Sequence, residues 1–363
     1  MTIPLKDNNL TETFNQFFRG LLEKKVVDAL VVPQAVLSGK SYAHTLVTDP
    51  DQIQHAAPFL PILMVNGAKV LSSLTAWDPG RTIGAVLRAC EIRALVELAK
   101  LKQANLERIV LIGVDCLGTV ETAEFETMIE GDKELKTEEY ISGILSGNTS
   151  HLRKACQVCT YPVPENVAMN IGFIGVDVKK EVYVHAADEI AEQLGLEKGN
   201  EPAQREETAT KIKEEKKKKR EEFLGELKER FKSVPDLLNE FARCKRCYNC
   251  RQECPICYCK ECVFLTNVFE HKPEQYLKWA QRKGAIKLPY ETLLFHLTRL
   301  NHMVFSCIEC GLCTSACPND LPVYDLFQYM GKDVQALFEY VPGMKVEEEP
   351  PVCTFREVEL EPK

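Results

Sequence analysis

Neither a Gly-x-Gly nor a Walker A loop occurs in the 363 residues. That removes the dinucleotide fingerprint and the P-loop, and with them a classical NAD fold. No run approaches the ~18 apolar residues that cross a bilayer, so no membrane span is expected. Net charge is −8, which argues against a nucleic-acid partner. The N-terminal stretch lacks the charged region, apolar run and small-residue cleavage site of a signal peptide, so a cytoplasmic location is expected. The seven histidines are scattered, and no serine or cysteine stands in a nucleophile arrangement. His296 and His302, near the helical stretch before Cys307, read as surface or packing residues rather than ligands.

Cysteine, by contrast, is abundant, with 16 copies. Cys244, Cys247, Cys250 and Cys254, then Pro255, spell C-x2-C-x2-C-x3-C-P. Cys307, Cys310, Cys313 and Cys317, then Pro318, repeat it. This is the bacterial ferredoxin run, whose thiolates hold [4Fe–4S] clusters. Zinc sites prefer paired C-x2-C units, often with histidine. A disulfide framework belongs to exported chains. Both fit this spelling poorly. In two-cluster proteins the fourth cysteine serves the other cluster. One cluster is therefore expected on Cys244, Cys247, Cys250 and Cys317, the other on Cys307, Cys310, Cys313 and Cys254. Such oxygen-sensitive groups suggest an anaerobe. Ser315, Ala316 and backbone amides near Gly311 are expected to hydrogen-bond cluster sulfurs.

The chain divides by pattern. Residues 10–195 read as an α/β domain. A helix carries Phe14, Phe17, Phe18, Leu21 and Leu22. Strands are expected at Val26–Val32, Thr82–Leu87, Arg108–Val114 and Asn170–Val176, with a helix at Glu91–Leu101. Alternation of this kind implies a parallel or mixed sheet. Residues 196–235 form a charged helical linker. Its run Lys211–Arg220 holds seven basic and two acidic residues, expected as a solvated helix arm with i,i+4 pairs rather than a docking patch. Residues 236–340 read as an all-α two-cluster domain, because a compact β-ferredoxin has no room for helices such as Tyr290–Val304 between its motifs. Residues 341–363 are rich in proline and glutamate and read as an extended tail.

Cys90, Cys116, Cys156 and Cys159 lie in the first domain. Cys90 and Cys116 each follow a strand end, where α/β sites form, and Cys156-x2-Cys159 could close the ring. Spacing alone leaves open buried small hydrophobes, a redox dithiol or half a zinc site. Cys257, Cys259 and Cys262 follow the first motif. With Cys353 they could serve another metal or replace a ligand, but packing beside the clusters is the simpler reading.

The segments Arg88-Ala-Cys-Glu-Ile-Arg-Ala-Leu95, Ile112-Gly-Val-Asp-Cys-Leu-Gly118, Cys156-Gln-Val-Cys159 and Asn170-Ile-Gly172 resemble, in order, the beta subunits of coenzyme F-420-reducing hydrogenase and of formate dehydrogenase. Thr48-Asp-Pro-Asp51 fits as well, and coverage is roughly residues 12–190. The C-terminal part resembles the helical cluster modules of heterodisulfide reductase C subunits and of succinate dehydrogenase iron–sulfur subunits. The resemblance implies an FAD domain with one [4Fe–4S] cluster on Cys90, Cys116, Cys156 and Cys159, three clusters in all. It implies hydride exchange with F-420, NAD(P)H or a related soluble carrier, with electrons passed singly to another subunit of a redox complex (formate dehydrogenase, hydrogenase or heterodisulfide-reductase type). Arg88, Arg93, Asn66 and Lys69 are the candidate FAD contacts. Ala57–Pro61 and Asn66–Lys69 stand where the family carries a Gly-Ser-Lys-Tyr-like segment. That departure keeps a flavin-free electron wire as the alternative.

Overall fold

The computed structural model describes residues 1–36, 41–129, 137–196, 199–270, 272–284 and 291–354. At its centre is a seven-stranded mixed sheet of order β1-β7-β6-β5-β4-β2-β3. The strands are β1 (Thr2–Pro4), β2 (Ala29–Ala35), β3 (Tyr42–Val47), β4 (Ile83–Arg88), β5 (Ile109–Val114), β6 (Met169–Gly172) and β7 (Glu181–Ala186). The inner strands β2, β4, β5 and β6 run parallel. The outer strands β1, β3 and β7 pair antiparallel.

Burial explains this order. Every residue of β4 is buried, as a strand covered on both faces requires. Along β2 the period of two divides the side chains: Leu30 and Val32 join the core on one face, Ala29 and Val31 that on the other. The first face is closed by α1 (Leu10–Glu23). Asn9 caps it by accepting from the Glu12 amide at 2.9 Å, and Phe14, Phe18, Leu21 and Leu22 face inward. The second face carries α2 (Gly67–Leu74) and α3 (Ala89–Lys100). Its core runs without a break into the C-terminal half, through Phe223, Leu227, Phe241, Phe295, Leu321 and Phe327. The two halves thus share one apolar interior.

The charged linker is the 26-residue helix Arg205–Arg230. Most of it is solvated, as the sequence suggested, but it is no free arm: Arg205, Lys216, Phe223 and Leu227 are buried. Arg205 donates to both carboxylate oxygens of Asp115, at 2.6 and 2.7 Å, and the Asp115 side chain is fully buried. Asp115 Oδ2 also accepts from the amides of Phe173 and Ile174, each at 3.1 Å. Those bonds draw the chain away from the ladder after Gly172, so β6 ends short of the expected Val176. Arg220 pairs with Glu309 of the second ferredoxin motif. The helix therefore fastens one half to the other.

In the C-terminal half the helices Glu291–Met303 and Val323–Leu337 flank the second motif. Tyr290, expected to begin the first of these, lies outside the described residues. Beyond residue 340 the chain is not a loose tail: Pro342 accepts from Arg93, and the Gly343 amide donates to Glu97 at 2.9 Å. Residues 355–363 lie outside the described set. Among the described residues no helix is long and apolar enough to cross a membrane.

Candidate iron–sulfur centres

The C-terminal ends of β4 and β5 lead into one void, about 570 Å³ with its open side counted. Cys90 enters from the first turn of α3, Cys116 from the loop after β5, and Cys156 and Cys159 from a short helix and its exit. Arg88, Arg93, Arg153 and Lys216 also line the void, as do Ile308, Glu309 and Cys310 from the second ferredoxin motif. The four N-terminal thiols around this void match in number and type the donors that a [4Fe–4S] cluster takes. Among the described residues no three His, Cys, Asp or Glu side chains form a group that could hold a single metal ion.

The electrostatics differ among these thiols. Burial pushes Cys90 well above the ordinary thiol value, with further help from Glu91 and neighbouring cysteines. Burial likewise raises Cys116 and Cys159. Burial would raise Cys156 too, but the Arg153 guanidinium and hydrogen bonds from Thr119 hold it below the usual range. Arg153 is itself buried, and its Nε donates to Thr119 Oγ1 at 2.8 Å. Sequence reasoning missed Arg153; its position three residues before Cys156 was the available signal.

The two ferredoxin motifs fold alike. In each, the residue two after the first cysteine has positive φ (Arg246, 54°; Glu309, 65°), and so does the residue four after it (Tyr248, 61°; Gly311, 74°). This turns an amide onto the preceding sulfur: Arg246 N donates to Cys244 Sγ at 3.4 Å. The Glu309 amide tempers the burial-raised value of Cys307, and the Leu312 amide that of Cys310. Gly311 is needed for a second reason. A Cβ there would stand 2.4 Å from the Ala155 side chain, so only glycine lets the motif approach the Cys156 helix this closely. Near Gly311 the amides that act on cysteine sulfur are those of residues 309 and 312. Ser315 is a correction: its hydroxyl donates to Glu121 at 3.1 Å.

Cys244, Cys247, Cys250 and Cys317 line a second void, of about 340 Å³, together with His296. Cys254 stands apart from this group, and its charge acts on Cys307, Cys310 and Cys313. Burial raises Cys250 to about 11 and Cys310 to about 12. Cys247 is exposed, so the second void has an edge at the surface. Of the two readings of His296, packing holds: it is 2% exposed, its ring packs against Phe241 and Phe295, and its Nε2 lies 3.3 Å from Cys244 Sγ. Cys257 is half-buried beside Cys254, and burial raises it to about 11. Cys259 and Cys353 are exposed.

The four residues expected to touch FAD do not share a site. Arg88 Nη1 donates to Ile62 O at 2.8 Å and Nη2 to Leu60 O at 2.5 Å. Arg93 donates to Pro342 O at 3.0 Å and Ile308 O at 3.3 Å, and stacks 4.0 Å over Tyr161. Both line the first void, but backbone carbonyls hold their guanidinium groups. Asn66 is a fully buried N-cap of α2. Lys69 donates to the Gln252 carbonyl. These four do not fit a dinucleotide, and no flavin step follows from them.

Comparison with known proteins agrees with the iron–sulfur part of this picture. Residues 240–321 match the 4Fe-4S dicluster domain family. The chain is 27% identical over 358 residues to the beta subunit of F420-dependent formate dehydrogenase from Methanocaldococcus jannaschii, covering 90% of each chain. It is 26% identical over 368 residues to the beta subunit of F420-dependent formate dehydrogenase 1 from Methanococcus maripaludis, covering 92% of this chain and 90% of that one. A solved structure of the F420-reducing [NiFe] hydrogenase complex from Methanosarcina barkeri contains a chain 12% identical to this one. It aligns at a TM-score of 0.43 over 61% of this chain and 86% of that chain. The resemblance read from the cysteine motifs therefore extends over nine-tenths of the chain, and the C-terminal half carries a 4Fe-4S dicluster domain.

Proposed function

We propose that this chain is the electron-transfer subunit of a cytoplasmic, anaerobic redox complex and carries three [4Fe–4S] clusters in series. Cys90, Cys116, Cys156 and Cys159 hold the first. Cys254, Cys307, Cys310 and Cys313 hold the middle one. Cys244, Cys247, Cys250 and Cys317 hold the last. The observation that carries the reading is the position of Cys310. This thiol of the middle set lines the same void as the four N-terminal thiols, so the first and middle centres share a wall. Arg153 is placed for the first centre: buried, with Cys156 and Cys310 as the two strongest charges acting on it. Cys247 brings the last centre to the surface, where a partner subunit can exchange electrons.

The names of the relatives favour a second element. An F420-dependent formate dehydrogenase links a two-electron hydride carrier to a formate-oxidising partner. For this chain we infer a carrier such as F-420 or NAD(P)H; the FAD expected from the motif resemblance, if bound, would supply the two-electron to one-electron conversion. The flavin-free wire is the alternative that the Arg88, Arg93, Asn66 and Lys69 geometry favours. Iron, acid-labile sulfide and flavin per chain, measured after anaerobic purification, separate these readings. About twelve irons support three clusters, and about eight would remove the N-terminal one. Flavin at one per chain supports the converter. Its absence after FAD is supplied leaves the wire.

A further inference from the structure

The helix Glu291–Met303 lies along the dicluster thiols yet supplies no cysteine. Among its buried polar side chains, His296 at 2% and Arg299 at 4% exposure stand one turn apart. His296 lines the void of Cys244, Cys247, Cys250 and Cys317, with Nε2 at 3.3 Å from Cys244 Sγ. Its ring is fixed between Phe241 and Phe295, at centroid distances of 4.3 and 5.0 Å. That contact sets which face of the helix meets the thiols. Arg299 follows three residues later on the same face, its guanidinium 5.2 Å from the centre of the Phe327 ring.

A buried guanidinium normally finds a carboxylate or a set of carbonyls, because desolvating it unpaired is costly. Among the described residues Arg299 has no carboxylate partner, and neither Nε nor Nη1 has a hydrogen-bond acceptor. The charges that act on it are thiols of both sets: Cys250 from one, Cys254 and Cys313 from the other, then Cys257. A cation so placed, with two idle donors, is complementary to sulfur-rich negative charge on either side.

We propose that Arg299 is a positioning residue that serves as the shared counter-charge of the middle and last clusters, raising the reduction potential of both. The inference rests on the cluster reading above. Each electron that arrives adds one negative charge at the centre and needs no proton. A nearby fixed cation favours the more negative, reduced form, more strongly in a dry interior than in water. Net charge and hydrogen bonds to sulfur are established controls of cluster potential. One cation between two centres moves them together and so keeps the step between them small.

The test uses the full chain, purified anaerobically, as wild type, Arg299→Met and Arg299→Lys. Iron and sulfide are counted first, and each cluster is then titrated potentiometrically with EPR detection. Arg299→Met is expected to keep its iron and to shift both dicluster midpoints to more negative values, with the N-terminal cluster unmoved. Arg299→Lys, which restores the charge without the fork, is expected to lie between the two. Full iron with unshifted midpoints in the Met variant overturns the proposal, as does an equal shift of all three clusters. If the Met variant loses iron, the Lys variant decides. Full iron with midpoints near wild type supports the charge role, and loss of iron there as well overturns it. A wild type without iron would instead refute the relay reading on which the proposal depends.

Discussion

Arg205→Met removes one partner of a bidentate ion pair buried on both sides. The Asp115 side chain is 0% exposed and that of Arg205 4%. Breaking such a pair from one side typically costs about 3–5 kcal/mol, because the remaining charge has neither water nor a counter-ion. For a cooperative unit of about 150–250 residues each kcal/mol moves Tm by about 2–4 °C, so the N-terminal transition should fall by about 6–20 °C. The pH dependence follows from the carboxyl. Burial already raises Asp115 above its ordinary value, and Arg205 opposes that rise. Without Arg205 the folded-state value climbs further. A raised folded value gives stability at low pH that is lost as pH rises through it. The gap between variant and wild type should therefore be wider at pH 8 than at pH 6, in melts followed by circular dichroism. The double variant Asp115→Asn, Arg205→Met should recover part of the loss, since the Asn carbonyl can still accept from the Phe173 and Ile174 amides. The single variant Arg205→Met should lose iron from the N-terminal centre first, because the helix that Arg205 anchors brings Lys216 over that void, where its Nζ donates to Leu117 O at 2.9 Å. A Tm change below ~2 °C at pH 8, less than 1 kcal/mol by the same scaling, would refute the reasoning. So would an equal change at both pH values.

Other consequences are simpler. Gly311→Ala must force the 2.4 Å approach to Ala155 apart and strain a φ of +74°; a loss of about 1–3 kcal/mol is expected in thermal melts, with faster oxygen damage to the N-terminal centre followed by its visible absorption. Cys257→Ala, Cys259→Ala and Cys262→Ala together should keep about twelve irons per chain; a loss of about four would make one of them a ligand. Glu309→Gln leaves Arg220 without its counter-charge on the wall of the first void, and a cost of about 1–3 kcal/mol should appear in urea unfolding, recovered in part by adding Arg220→Met.

Much of this was legible in the chain because two strong codes run through it. Apolar periodicity located the inner strands and α3 within a few residues, since those segments are buried on both faces and packing leaves them no alternative. The outer strands β1, β3 and β7 escaped notice. They pair antiparallel at the margins, where the half-buried Thr45 and Glu181 and the exposed His185 blur the alternation. Val26–Val32 began three residues early because Lys24 to Asp28 turn rather than extend. The cysteine spelling fixed which thiols to examine, but it is silent on the groups between them. Arg153, His296 and Arg299 carry no motif, and their role comes from burial beside sulfur, which only the folded chain displays. The same holds for Lys211–Arg220: its composition reads as solvated, yet Lys216 is buried and Arg220 half-buried against the other half of the chain.

The adjacency of the first and middle centres is the core of the account, and EPR spectra of the fully reduced chain test it most directly. Centres that share the Cys310 wall should couple magnetically, giving a broadened composite spectrum that simplifies to the dicluster pattern in Cys116→Ser. A spectrum equal to the plain sum of independent clusters, unchanged in shape by that substitution, would contradict it.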